Sequence, residues 1–386
     1  MGPLKGVRIL DLSMVVSGPY CTMMLGDMGA DVIKIEPPEG DITRGIGGGD
    51  RRNGISVGVL NWNRNKRGMV LDLKREGAAE VFLRMAEQAD AVIQNVRPGV
   101  VDRLGVGYEA VAARNPKIVY CSIAGYGFSG PAAAKPAYDP IIQGWAGVMS
   151  AQKTQGRPRV VKNILADKVT SMTAALAMVA ALYEARVSGQ GQHLRLAMID
   201  AAAYFLMGDM ASKHTFLPHE RGIHPPVATP EPYATADGYI TIAPLTDRHW
   251  TSLLKAVGHP EWFEGSEPRA ERVRRSAKNL IALFPTQPSA HWLERIEAAD
   301  VPCGRVNDFD TVWEDDQFAA NETFFEYDHP KAGRARGVRS PVRFSRTNPE
   351  LWRHAPELGQ NTNEILGDFG FKPSEIAALR ERQLVA

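Results

Sequence analysis

Asp167 is the residue of this 386-residue chain with the most chemistry to offer. It is an isolated carboxylate at the start of a long helical run in which Val169, Met172, Ala175, Leu176, Val179 and Leu182 put apolar side chains on nearly every face. A helix apolar all round is a buried helix. The acid is therefore expected at the mouth of an interior helix, where water is scarce and the helix-end amides are unpaired. A carboxylate is favoured there as the anion, which suits a nucleophile working at neutral pH. The competing role is purely structural, since Asp is among the preferred N-cap residues. The run ends in a Gly-rich turn, Ser188-Gly189-Gln190-Gly191-Gln192, and strand-like alternation follows from His193 to Met198.

The elements that must position this acid alternate between strand and helix over residues 1–200. Strands are expected at Val7–Leu12, Asp31–Glu36, Met69–Asp72, Ala91–Asn95 and Ile118–Ala124, with helices at Pro19–Gly29 and Glu76–Ala89. Such alternation predicts a parallel sheet built from βαβ units. A Pro- and Gly-rich stretch at 127–140 is a loop system leading to the Asp167 helix. From Leu217 to Pro232 the chain turns Pro- and His-rich and reads as a connector. Beyond it, Tyr233–Ala243 is expected as a hairpin with Asp237-Gly238 at the turn. Helices at Asp247–Gly258, Arg269–Phe284 and Ala290–Ala299 and a return strand or loop at Val301–Val306 complete a smaller α+β unit. The expected fold is α/β: a Rossmann-like large domain (1–215), a linker (216–232), a small α+β domain (233–310), and a return linker with the C-terminal part of the large domain (311–386).

Composition narrows the function classes. A 44% apolar, 23% charged chain of this length is ordinary for a globular enzyme and too apolar for a disordered one. A net charge of +1 carries no footprint for nucleic acid or an anionic membrane. Arg51-Arg52 and Arg64-Asn65-Lys66-Arg67 are local basic clusters, solvated faces by default but equally suited to a phosphate-bearing ligand. Cys21, Cys121 and Cys303 fit no metal or disulfide spacing and read as buried thiols of a reducing compartment. Thr173, Glu184 and Arg186 interrupt the Asp167 helix, so no run is expected to reach the roughly 20 apolar residues of a membrane span. The expected location is the cytoplasm. Nine histidines are scattered. The group His214, His219, His224 has a spacing that suits no single helix face, and no metal site is expected.

The segment around Asp167 resembles the signature of the class III CoA-transferases, the family of formyl-CoA transferase and the carnitine CoA-transferases. Further matches are Leu4–Leu12, Ser17-Gly18-Pro19, Leu25–Glu36, Asn65-Lys66-Arg67, Asn95-Val96-Arg97-Pro98-Gly99, Asp102-Arg103-Leu104-Gly105 and Gly125–Pro131. The resemblance covers essentially the whole chain. It implies a ring-shaped subunit interlocked with a second in a homodimer. It also implies CoA transfer from an acyl-CoA thioester to a carboxylic acid, through an aspartyl mixed anhydride and an aspartyl-CoA thioester on Asp167. Coenzyme A enters as substrate; no further cofactor and no nucleic-acid or membrane partner is implied. Carried over by register, the CoA-contacting residues are Val15, Val16, Leu71, Lys74, Asn95, Arg103 and Tyr138, with Arg97 beside them. Lys74 and Arg103 would pair with phosphates, and Leu71 would pack near the adenine.

Val16 stands where formyl-CoA transferase has Gln and Pro37 where it has Arg, and its glycine-rich second-domain loop has no counterpart here. These departures favour a larger or more apolar acid than oxalate. The strongest rival is an α-methylacyl-CoA racemase of the same superfamily. Two-base proton transfer needs groups on both faces of the α-carbon, and the racemase His falls at Tyr138, its Glu near Thr246. A nucleotide-binding oxidoreductase would place Glu36 against a ribose, yet the turn Ser13–Pro19 lacks the Gly-x-Gly-x-x-Gly cradle. A non-catalytic CoA-binding homologue is the third alternative.

Overall fold

The computed structural model describes residues 2–45, 49–210, 214, 215, 217 and 231–386. The chain divides into two compact units, Met1–Thr215 with Glu322–Ala386, and Phe216–Asn321. Most of the expected connector, with His219 and His224, lies outside the described residues.

The first unit is built on six strands: β1 (Arg8–Asp11), β2 (Asp31–Glu36), β3 (Lys66–Val70), β4 (Ala91–Gln94), β5 (Val119–Ala124) and β6 (Gln192–Ala197). All pair in parallel, in the order β3-β2-β1-β4-β5-β6. This is the doubly wound Rossmann order, which reverses between β1 and β4. Apolar residues fill the middle of the sheet, whose faces are both covered, while charged residues (Asp11, Lys34, Glu36, Lys66, Arg67) are buried within β1, β2 and β3. Leu10, Ile33, Met69, Val92 and Tyr120 face a core closed by Phe82, Met85, Phe369 and Leu379. Their neighbours Ile9, Val32, Ile93 and Cys121 face a second core with Leu25, Ala174 and Met178. Adjacent residues enter opposite cores, as the two-residue period of a strand requires.

Helix α1 (Ser17–Asp27) follows β1, and α2 (Ala78–Ala86) joins β3 to β4. Between β5 and β6 stand α3 (Asp139–Trp145) and the 24-residue α4 (Leu165–Ser188); α5 (Met198–Met210) follows β6. Helix α4 stops at Gly189, whose φ of 76° is the left-handed cap that glycine adopts without strain. The expectation that α4 is buried on every side fails. It buries a stripe of small residues (Ala166, Thr170, Ser171, Ala174, Ala175, Ala181), while Met172, Leu176, Tyr183 and Val187 are exposed, Leu176 by 73%. Tyr204, Phe205 and Met207 on α5 are exposed too. By length and composition α4 is also apolar enough to cross a membrane, contrary to the sequence expectation, yet it packs against α1, α3, α5 and the sheet as a core helix.

The Arg64–Arg67 cluster is neither a solvated face nor an open phosphate site. All four residues are buried. Arg64 forks onto Asp27 at 3.0 and 2.7 Å, and Arg67 onto Asp31 at 3.0 and 2.6 Å, with Asp368 at 2.6 Å. Asn65 takes the backbone N–H groups of Trp352 and Arg353, tying the returning chain to the sheet edge. Lys66 reaches beneath β1 to Asp11 at 3.0 Å and to the Pro19 carbonyl at 2.9 Å. The C-terminal helices Thr362–Asp368 and Pro373–Glu381 then close the first core.

In the second unit a three-stranded sheet places Tyr239–Ile242 between Tyr233–Ala234 and Cys303–Arg305. Helices Asp247–Ala256, Arg269–Leu283 and Ser289–Ala298 cover it around Trp250, Leu253, Phe284, Trp292 and Ile296. The hairpin turns at Thr235–Gly238, where Asp237 accepts the Ser289 N–H at 2.7 Å.

Breaking a buried ion pair from one side strands a charge and costs roughly 3–5 kcal/mol. Lys66→Met is accordingly expected to lower the urea midpoint far more than Lys5→Met on the exposed amino-terminal turn, read by equilibrium unfolding.

Candidate active site

The order reversal between β1 and β4 opens a crevice at the carboxyl ends of the strands, the place where open α/β sheets bind ligands. A cleft of about 400 Å³ lies there, lined by the loops after β1 and β4, the end of β5, and Asp167. That volume suits a small ligand or part of a larger one.

The loop after β1 is held from below by buried charges. Asp11 accepts the Ser13 N–H at 2.9 Å, the Ser13 hydroxyl, the Thr22 hydroxyl at 2.6 Å and Lys66 at 3.0 Å. Burial raises its proton affinity, but Lys66, Lys34 and the two hydroxyls outweigh burial and hold it below the usual carboxylate range. Lys34 bridges the Ser13 carbonyl at 2.9 Å and Asp41 at 3.0 Å. Asp41 accepts the Val15 N–H at 3.0 Å. Glu36 is committed to the same network: it accepts the Asp41 N–H at 2.8 Å and pairs with Arg44 at 2.7 Å. It is therefore not poised for a ribose.

Held this way, Val15 adopts φ 69°. A β-branched residue in the left-handed region is strained by about 1–3 kcal/mol, and such strain gathers at functional sites. Ile164, immediately before α4, repeats the pattern at φ 49°. One strained residue precedes Ser17 and the other precedes Asp167.

Asp167 is the third residue of α4 and not its N-cap; the cap is Ile164, whose side chain makes no capping bond. The capping work falls to Asp139 on α3. Its Oδ1 accepts the backbone N–H groups of Ala166 at 2.6 Å and Asp167 at 3.2 Å, while Oδ2 accepts Gln143 Nε2 at 2.7 Å. This leaves the Asp167 carboxylate free for the cleft, which Ser17 lines with it and where the Ser17 hydroxyl and N–H favour its ionised form. Burial, followed by the charge of Asp139, pushes the Asp167 carboxyl up to about 7 against the two Ser17 donors. Against the helix-end expectation of a favoured anion, desolvation and a like charge hold this carboxyl toward its neutral form.

Of the residues singled out from sequence, Val15, Asn95, Arg97, Tyr138 and Asp167 line the cleft. Lys74 and Arg103 are exposed outside its lining. Val16, the N-cap of α1, and Leu71, in the first core, are 3% and 1% exposed, so their side chains offer a ligand no surface. The sequence reading missed Asp139, Ser17 and Lys135. Asp139 stood only in the register Ala137–Pro140 and Ser17 only in a turn match. Lys135 joins the cleft wall beside Pro136, Ala137 and Met198. Among the described residues, no group of three or more His, Cys, Asp or Glu is placed to hold a metal.

Comparison with known proteins agrees with this geometry. The description of CoA-transferase family III matches residues 4–362. The succinate–glutarate CoA-transferase of Agrobacterium fabrum is 32% identical, over 95% of this chain and 96% of its own length. The acetyl-CoA:oxalate CoA-transferase of Acetobacter aceti is 34% identical, over 95% and 96%. The crystal structure of a CAIB/BAIF family protein from Brucella suis superposes with a TM-score of 0.82 at 29% identity, covering 95% of this chain and 99% of that one. With its parallel sheet, its cleft at the order reversal and its full-length kinship, the chain belongs to CoA-transferase family III.

Proposed function

We propose that this protein moves CoA from an acyl-CoA thioester to a carboxylic acid through covalent intermediates on Asp167. The observation that supports this most is the buried Asp167 carboxylate lining the switch-point cleft beside Ser17. Attack on the donor thioester expels CoA thiolate and leaves a mixed anhydride. Thiolate returns to the aspartyl carbonyl, the donor acid departs, and the acceptor carboxylate reverses the sequence. One hard exchange becomes several easier ones.

In this reading Val15, Asn95, Arg97 and Tyr138 hold the pantetheine end of CoA. Lys74 and Arg103 meet its phosphates outside the cleft. Val16 and Leu71 contribute through the backbone frame beneath it and not through side-chain contact. The acids in the relatives' names direct the first substrates: succinate and glutarate in the Agrobacterium enzyme, mesaconate in the succinyl-CoA:mesaconate CoA-transferase of Haloarcula marismortui. The apolar faces of α4 and α5 support a homodimer in which a second copy covers them, with the ring-shaped, interlocked arrangement as the form to test. A cytoplasmic location fits three free cysteines.

Four outcomes follow. Succinyl-CoA or acetyl-CoA offered with a panel of mono- and dicarboxylates is expected to yield a new acyl-CoA by chromatography, absent in Asp167→Asn. Loss of nothing in that variant overturns the covalent reading, and α-proton exchange without transfer makes the protein a racemase. The rate kcat/KM is expected to rise with pH through an apparent pKa of about 7. Asp139→Asn keeps an acceptor for the Ala166 amide but removes the like charge, so that limb shifts to lower pH. Because the folded pKa of Asp167 lies above its ordinary value, the ionised group costs stability that develops as pH rises from about 4 and is complete above about 7. Asp167→Asn is expected to be more stable than wild type at about pH 8, by on the order of 4 kcal/mol, with the difference vanishing near pH 4 in paired melts.

A further inference from the structure

Ser17 entered the sequence reading only as part of Ser17-Gly18-Pro19, yet its hydrogen bonds give it a chemical task. It is buried, opens α1, and lines the cleft with Asp167. Its Oγ accepts Asn95 Nδ2 at 3.1 Å. Asn95 also donates to the Met14 carbonyl at 2.7 Å and accepts the Met14 N–H at 2.8 Å. Both ends of the Asn95 amide are thus engaged, which sets its orientation. A hydroxyl has one proton to give. With a lone pair of Ser17 Oγ taken by Asn95, that proton and the Ser17 backbone N–H are left for the Asp167 carboxylate, with which Ser17 shares the cleft wall.

We infer that Ser17 is a catalytic residue whose hydroxyl and N–H receive the oxyanion formed on the carbonyl of Asp167 itself, with Asn95 as its positioning residue. The inference rests on the proposed role of Asp167 as nucleophile. In that sequence the enzyme's own carbon is the electrophile. CoA thiolate adds to the Asp167 carbonyl carbon of the anhydride: a C–S bond forms and the C=O pair moves onto oxygen. Collapse restores C=O, breaks the C–O bond to the donor acyl group, and the donor carboxylate leaves with that pair and the charge. The acceptor carboxylate later adds to the aspartyl-CoA thioester, forming a C–O bond and expelling thiolate. Each addition places negative charge on an oxygen that was part of the resting carboxylate, where Ser17 already stands. Donors in place before charge develops need no reorganisation.

The test compares wild type, Ser17→Ala, Ser17→Thr and Asp167→Asn with one donor and acceptor, measuring kcat, KM, the pH profile and the melting temperature of each. Loss of one oxyanion donor costs about 10²-fold in rate, so Ser17→Ala is expected to lose kcat on that scale with KM little changed. Its ascending pH limb moves up, because a donor that favours the anion is gone. Ser17→Thr keeps the hydroxyl and is expected to recover most of kcat. If Ser17→Ala retains kcat within roughly twofold, the inference is wrong. If Ala and Thr variants fall together with a lowered melting temperature, Ser17 is structural only and the inference is again wrong. An inactive Asp167→Asn beside an unaffected Ser17→Ala removes this inference alone, whereas an active Asp167→Asn removes the covalent reading beneath it.

Discussion

The loop after β1 depends on charges that never meet water. Lys34 and Lys66 rise from neighbouring strands, and Asp11, Asp41 and Glu36 answer them. Two buried cations would be costly if left alone, and removing either partner of such a pair is more damaging than replacing both. What the network secures is geometry: the Ser13 carbonyl, the Ser13 amide and the Val15 amide are each taken by a charged group. The chain has no route to relax out of the left-handed Val15 conformation while those bonds hold. Ser17 therefore begins α1 at a fixed point, facing Asp167.

Opposite this loop, α4 is aimed by a different device. Asp139 caps it from α3, which spares Asp167 from serving its own helix. The same carboxylate that positions Asp167 also raises its proton affinity. Asp139 thus contributes to both the position and the proton affinity of Asp167, burial being the larger cause of the latter, and the two helix starts, α1 and α4, meet at one cleft. For the proposed covalent role, a nucleophile that must afterwards leave an acyl carbon gains from being neither a very weak nor a very strong base.

The parallel sheet was legible because short strand-like segments alternate with helical lengths; Asp31–Glu36 appears as expected to the residue. Asp167 was legible through its isolation before an apolar helix and its register with a known family. Ser17 and Asp139 were not, because they are placed by contacts across 78 and 28 positions, which no local pattern encodes: Ser17 with Asn95, Asp139 with Asp167. Arg64–Arg67 misled for the same reason. A basic run looks like surface until Asp27, Asp31 and Asp368 are brought against it. Helix α4 misled in the opposite sense, since apolar residues on all sides predict burial, yet Met172, Leu176, Tyr183 and Val187 lie exposed.

The most direct test of the account is to ask what becomes attached to Asp167. Wild-type protein mixed with succinyl-CoA, quenched in acid and digested, is expected to show by mass spectrometry an acyl or CoA adduct on the peptide carrying Asp167, lost on addition of a competent acceptor acid. A protein that turns over thioester with that peptide unmodified, or with the adduct on another residue, would contradict it.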